Sequence, residues 1–228
     1  MSGLINYNNF SLKDTPPLTS RIAIVTGGSA GIGRETVAQF LTFDISKVIV
    51  LARNEDKFGT AKMFWKERGL DVERVEFERC DLSDLREVKR VGDALVMRLE
   101  RLDVLCNNAG MFSFPQFHFS FLLRGNMTLH RIHSSSQKSG LPTVPDYTLS
   151  PQGIETIFAT NVVGPFVLTN ILLPKLESTA DKYGNARIVM TSSSFHMGCQ
   201  ELKLDLTMSP TRIKSPDALD SCWRYARR

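Results

Sequence analysis

Residues 22–33 read Ile22-Ala23-Ile24-Val25-Thr26-Gly27-Gly28-Ser29-Ala30-Gly31-Ile32-Gly33. Four apolar residues run straight into a glycine-rich turn, and a segment with helical spacing follows, with Val37, Phe40 and Leu41 on one face. A strand, a glycine turn and a helix in that order make the turn informative, whereas glycine spacing alone carries little. The spacing here is GxxxGxG. Glycines let the backbone turn tightly and come close to a pyrophosphate, whose charge rests on the free N–H groups and positive end of the helix. On this reading Thr26, Gly27, Ser29, Gly31, Ile32 and Gly33 form a dinucleotide-binding turn; the alternative is a plain strand-to-helix connection.

Outward from that turn, short apolar runs alternate with helix-period segments. Residues 48–52 (VIVLA), 75–77, 103–106 (DVLC) and 187–190 (RIVM) are the further strand candidates. Their lack of alternation predicts a sheet covered on both faces. Leu85, Val88, Leu95 and Leu99 mark one helix face, Asn54 caps another helix, and Gly69 ends it. Ser150-Pro151 opens a long helical stretch to about Leu176. The alternation predicts an α/β fold, a doubly wound parallel sheet of Rossmann type with right-handed crossovers, in one domain over residues 1–228.

Composition narrows the partners. Hydrophobic residues make up 42% and charged residues 23% of the 228, which excludes wholesale disorder. A net charge of +4 is too weak to argue for nucleic acid or an anionic membrane. Cys80, Cys106, Cys199 and Cys222 form no CxxC pair and read as reduced thiols. No apolar run approaches the ~18 residues that span a bilayer, and the first residues lack signal-peptide features. The expectation is a soluble, cytoplasmic protein with a small-molecule substrate.

The adenosine half of a dinucleotide is sorted about 20 residues past the glycines, at the end of the second strand. Counting from Gly33 gives Arg53, not an acidic residue. A guanidinium has no acceptor for a ribose hydroxyl but forks onto a 2′-phosphate and stacks on adenine, which favours NADP over NAD. Asp81 and Leu82, after the third strand, are placed to meet the adenine edge, and Asn108 to line the ribose side.

With TGGSAGIG at 26–33, CDL at 80–82, NNAG at 107–110, TN at 160–161 and a serine run after the fifth strand, the chain resembles the short-chain dehydrogenase/reductase family over roughly residues 20–195. SPQGIETIFATN (150–161) and RIVMTSSSFH (187–196) look most like its retinol-dehydrogenase-type branch, which tends to use NADP(H) on aldehydes, ketones and alcohols. The resemblance implies hydride transfer between nicotinamide and a carbonyl or carbinol carbon. Asn108, Ala109 and Gly110 would then flank the cofactor, and Asn161 would hold a water in a proton relay. Ser193, with Ser192 as the fallback, would bond the substrate oxygen, and Tyr225 would be the general acid/base. Homodimers of this family often form through the helices holding the counterparts of Asn161 and Tyr225.

One part of the pattern departs. The family's tyrosine has a lysine four residues on, which lowers the phenol's pKa, but here the sequence reads Tyr225-Ala226-Arg227-Arg228. Lys203 and Lys214 precede Tyr225, while Tyr183 and Arg187 precede the fifth strand. The expectation is a chain truncated at the active-site helix, lacking the family's last strands and of low activity. The alternative is a non-catalytic dinucleotide-binding or scaffold protein, a pseudoenzyme.

Residues 112–140 form an atypical insert with five of the 14 phenylalanines and three of the four histidines. His118, His130 and His133 have no cysteine or carboxylate at ligand spacing, so no metal site is expected. The stretch reads as translated intron rather than as a functional loop.

Overall fold

The computed structural model describes residues 15–111 and 148–192. In chain order it contains β1 (Ile22–Thr26), α1 (Gly31–Thr42), β2 (Lys47–Ala52), α2 (Glu55–Glu67), β3 (Val75–Arg79), α3 (Leu85–Arg98) and β4 (Val104–Asn107). After the insert come α4 (Thr156–Phe158), a wide helical turn over Ala159–Val163, α5 (Gly164–Tyr183) and β5 (Arg187–Met190). The five strands pair in parallel in the order β3-β2-β1-β4-β5, with Ile24 level with both Ile49 and Leu105.

Helices cover the sheet from both sides. On one face Val37, Ala38, Ala61 and Trp65 from α1 and α2 pack on Ala23, Val25, Val48 and Val50. On the other, Val88, Leu95, Leu168 and Leu172 from α3 and α5 pack on Ile24, Ile49 and Leu105. The central strands are therefore apolar on both faces, as their unbroken runs predict. Asn54 caps α2 by accepting from the Lys57 N–H at 2.8 Å, and Gly69 leaves that helix at φ +71°.

Four expectations need correction. The third strand runs to Arg79 because it is an edge strand, so Glu76 and Glu78 can point outward to Lys47 and Arg98. At the opposite edge, Ile188, Val189 and Met190 are exposed rather than doubly covered, since α5 lies over β4 instead. The long helix starts at Thr156, not at Ser150-Pro151. Residues 150–153 close a turn, with Gly153 at φ +75°, and the Glu155 carboxylate caps the helix by accepting from the Ile157 and Phe158 N–H groups. The helix then runs past Leu176 to Tyr183, where Gly184 exits at φ +92°.

Finally, among the described residues one helix is long and apolar enough to cross a membrane: Thr156–Tyr183, 28 residues. Scattered polar residues such as Thr169, Lys175 and Ser178 interrupt it, so no uninterrupted apolar run in it reaches ~18 residues. In this fold one face of it packs into the core. Leu168, Leu172 and Leu176 are buried, and a Cβ on Gly92 of α3 would come within 2.9 Å of Ile171.

Candidate dinucleotide site

The crossover from β1 leads to one face of the sheet, and the crossover into β4 comes from the other. β1 and β4 are neighbours, so their carboxyl ends open a crevice where the winding reverses. The glycine turn forms one lip. Gly27 sits at φ +67°, and a Cβ there would lie 2.9 Å from the Ala109 Cα. A Cβ on Gly33 would lie 2.4 Å from the Gly27 carbonyl oxygen and 2.5 Å from Asn108 Nδ2. These two positions admit no side chain, so the backbone of the turn closes tightly on the opposite lip. Ala30 precedes α1 in extended conformation, no side chain caps the helix, and its first turn has no acidic residue. Its amides and the positive end of its dipole are thus offered to an anion. Ile32 on that turn is 70% exposed, an apolar side chain at the rim of the crevice.

Thr26 lies beneath the turn rather than in it. The residue is 0% exposed, and its hydroxyl accepts from the N–H groups of Asn108 (3.0 Å) and Ala109 (2.9 Å) while donating to the Cys106 carbonyl at 3.4 Å. Asn108 Nδ2 returns a bond to the Thr26 carbonyl at 3.1 Å. The turn after β1 and the Asn-Asn-Ala-Gly turn after β4 are in this way locked as one piece. Asn107, next to it, is 3% exposed; Nδ2 donates to Thr169 Oγ1 at 2.9 Å and contacts Met190 Sδ at 3.1 Å, while Oδ1 has no partner among the described residues.

At the far side of β2, Arg53 Nη1 lies 3.9 Å from Asp81 Oδ2. Both side chains are partly exposed, 41% and 30%, so the pair restrains orientation more than it stabilises the fold. Asp81 Oδ1 is occupied by Ser83, accepting from its N–H at 2.9 Å and its hydroxyl at 2.8 Å. Leu82 is buried, and its carbonyl is approached so closely by Gly164 that a Cβ there would come to 2.2 Å.

Asn161 lies in the wide turn between α4 and α5. Its side chain does not face a void: Oδ1 accepts from the Met111 N–H at 2.7 Å, and Nδ2 donates to the Met111 carbonyl at 2.9 Å. Thr160 Oγ1 adds a contact to Met111 Sδ at 3.2 Å. Both ends of that amide are thus engaged by the Met111 backbone. Residue 165 is proline and has no N–H for an ordinary i to i+4 bond to the Asn161 carbonyl, in keeping with the wider turn over Ala159–Val163.

The structure brings together the glycine turn, Asn108, Ala109, Gly110 and Asn161, with Gly110 lying so that a Cβ would be 3.8 Å from Asn161 Oδ1. It sets Arg53, Asp81 and Leu82 at the outer end. Ser193, Tyr225 and the insert at 112–140 lie outside the described residues; Ser192 is described and exposed. Sequence reasoning missed Met111, Gln152 and Gly164; of these, only Gly164-Pro165 carries a local signal, a Gly-Pro dipeptide inside a helical pattern. Burial pushes the Cys80 thiol up to about 12 and the Cys106 thiol up to about 11, so neither is a nucleophile.

The short chain dehydrogenase family pattern matches residues 21–198, and the chain belongs to that family. It is 33% identical over 206 residues to a short-chain dehydrogenase/reductase of Armillaria gallica, covering 90% of this chain and 56% of that one. It is 30% identical over 190 residues to the polyprenol dehydrogenase of Homo sapiens, covering 83% and 47%. An Escherichia coli CFT073 chain solved in complex with NADPH superposes with a TM-score of 0.53 at 26% identity, covering 79% of this chain and 61% of that one. The chain spans about half the length of the curated relatives it matches. The family binds nicotinamide dinucleotides.

Proposed function

We propose that this chain is an NADP-dependent oxidoreductase acting on a small-molecule carbonyl or alcohol, in the retinol-dehydrogenase-like branch of its family. The observation that carries the proposal is the uncapped first turn of α1, closed against the Asn108–Ala109 backbone, with a guanidinium rather than a carboxylate beyond β2. The backbone of Gly27, Ser29, Gly31, Ile32 and Gly33 takes the diphosphate, and Thr26 braces it from below. Arg53 takes the 2′-phosphate, Asp81 and Leu82 the adenine, and Asn108, Ala109 and Gly110 the ribose side. The NADPH complex of the Escherichia coli relative and the alcohol substrate in the name of the human relative support the choice.

When bound, the nicotinamide ring exchanges the hydride. The chain's own residues handle the oxygen and the proton. Ser193, or Ser192 beside it, bonds the substrate oxygen, and the Tyr225 hydroxyl gives up or takes the proton there. Asn161 holds a water that passes the proton on, while its side chain fixes Met111. General acid–base help of this kind is worth about 10²–10⁴-fold.

The same proposal includes one domain over residues 1–228 with the insert at 112–140, and a cytoplasmic setting consistent with unpaired Cys80 and Cys106. It also includes a homodimer through the outward face of α5, where Phe166 is exposed. Titration calorimetry with NADPH and NADH tests it. Wild type should prefer NADPH, and Arg53→Asp should move the preference toward NADH. Equal affinity for both, unchanged by Arg53→Asp, would remove the NADP assignment.

A further inference from the structure

Gln152 is a polar residue that nothing in the hydride-transfer scheme uses, yet both ends of its amide are engaged. Nε2 donates to Asp84 Oδ1 at 2.9 Å, and Oε1 accepts from the Leu85 N–H at 3.0 Å. Its partners are the cap and the first residue of α3, 68 and 67 positions away in the chain. Asp84 Oδ1 also accepts from the Arg86 N–H at 3.0 Å, and the Asp84 N–H donates to the Asp81 carbonyl at 3.1 Å. Ser83 occupies Asp81 Oδ1, which leaves Oδ2 as the oxygen facing Arg53 at 3.9 Å. A continuous line of contacts thus runs from Gln152 through Asp84 and Asp81 to Arg53.

We infer that Gln152 is a positioning residue for the adenosine end of the crevice: it holds the turn of residues 81–84, and with it the Arg53–Asp81 pair, in place for the cofactor. The inference rests on the dinucleotide reading above. Only an uncharged amide of this length fits the two contacts. A carboxylate of the same shape keeps the Leu85 bond but cannot donate to Asp84, and an alanine makes neither. A second contact acts on the same turn, since Gly164 seats directly on the Leu82 carbonyl. Gln152 stands before Asn161 in the chain and Gly164 after it. The segment carrying Asn161 therefore grips the adenosine turn from both sides, and the two ends of the crevice keep a fixed spacing.

The test uses the full chain and three variants, Gln152→Ala, Gln152→Glu and Gly59→Ala, the last a remote control. Each is titrated with NADPH and with adenosine 2′,5′-bisphosphate, which carries only the adenosine end, and thermal midpoints are recorded. Gln152→Glu is isosteric and keeps the Leu85 bond, so it guards against a misfolded alanine variant. Gln152→Glu should lose about 5–10-fold in affinity, by the same factor for both ligands, as one lost hydrogen bond of ordinary strength dictates, and Gln152→Ala, which loses two, at least as much. Gly59→Ala should bind as wild type does. A lowered thermal midpoint with unchanged affinities would make Gln152 a merely structural residue and overturn the inference. So would a loss seen with NADPH but not with the bisphosphate. If wild type binds neither ligand, the dinucleotide reading itself falls, an outcome distinct from the other two.

Discussion

The Asn161 amide and the Met111 backbone satisfy each other at both ends, with bonds of 2.7 Å and 2.9 Å across 50 residues of chain. Asn161→Ala strands a donor and an acceptor of Met111. An unsatisfied group costs about 1–3 kcal/mol when it stays buried. The variant should unfold at clearly lower urea concentration than wild type, and Asn161→Asp, which keeps only the acceptor, should fall between them. Equal midpoints for all three would mean that the pairing does not hold the loop.

Two glycines should respond in opposite directions to the same methyl. At Gly33 a Cβ meets the Gly27 carbonyl oxygen at 2.4 Å, so Gly33→Ala should destabilise by about 1–3 kcal/mol and weaken nucleotide binding. At Gly59, inside α2, nothing lies within 4 Å, so Gly59→Ala should stabilise by about 0.5–1 kcal/mol through helix propensity. Denaturant unfolding of the two variants measures both signs.

The contrast between those glycines shows what the sequence conveys. A strand, a glycine turn and a helix in succession are local, and so are the Asn54 cap and the Gly69 exit; each was legible because the cause and the effect lie within a few residues. The start of the long helix was not, because Pro151 suits a first helical turn while the deciding interaction is the Glu155 carboxylate on two amides. The outer half of β3 was hidden because an edge strand tolerates Glu76 and Glu78. Met111 and Gln152 were invisible for a different reason. Their partners lie at least 49 positions away, and neither residue type signals a site.

Asp84 provides an acid-limb prediction. The Gln152 amide, followed by the Arg86 N–H, holds its carboxyl below the ordinary aspartate range. A carboxyl with a depressed folded pKa contributes stability that is present above its unfolded value, about 3.9, and lost as pH falls through the folded one. Wild type should therefore lose stability on acidification through that window more steeply than Gln152→Ala, which lacks the largest cause. Urea midpoints collected between neutral pH and pH 3 compare the two slopes, and parallel curves would contradict the assignment.

The buried thiols act at the other end of the scale. With Cys80 and Cys106 pushed up to about 12 and 11 by burial, the unfolded chain ionises first, near pH 8.5. Their contribution is intact below that value and is lost as pH rises toward the folded pKa values. Peptide mapping after iodoacetamide treatment at pH 8 should find both cysteines unmodified in native protein and modified after guanidinium unfolding. Rapid labelling of either one in the native state would contradict their placement in the core.

The central claim is that a diphosphate rests on the first turn of α1, opposite Ala109. A crystal structure of the full chain grown with NADPH tests it most directly. The account predicts diphosphate oxygens within hydrogen-bond distance of the backbone N–H groups of Ile32 and Gly33, with the 2′-phosphate against Arg53. A nucleotide bound elsewhere, or a crevice left empty at saturating NADPH, would contradict it.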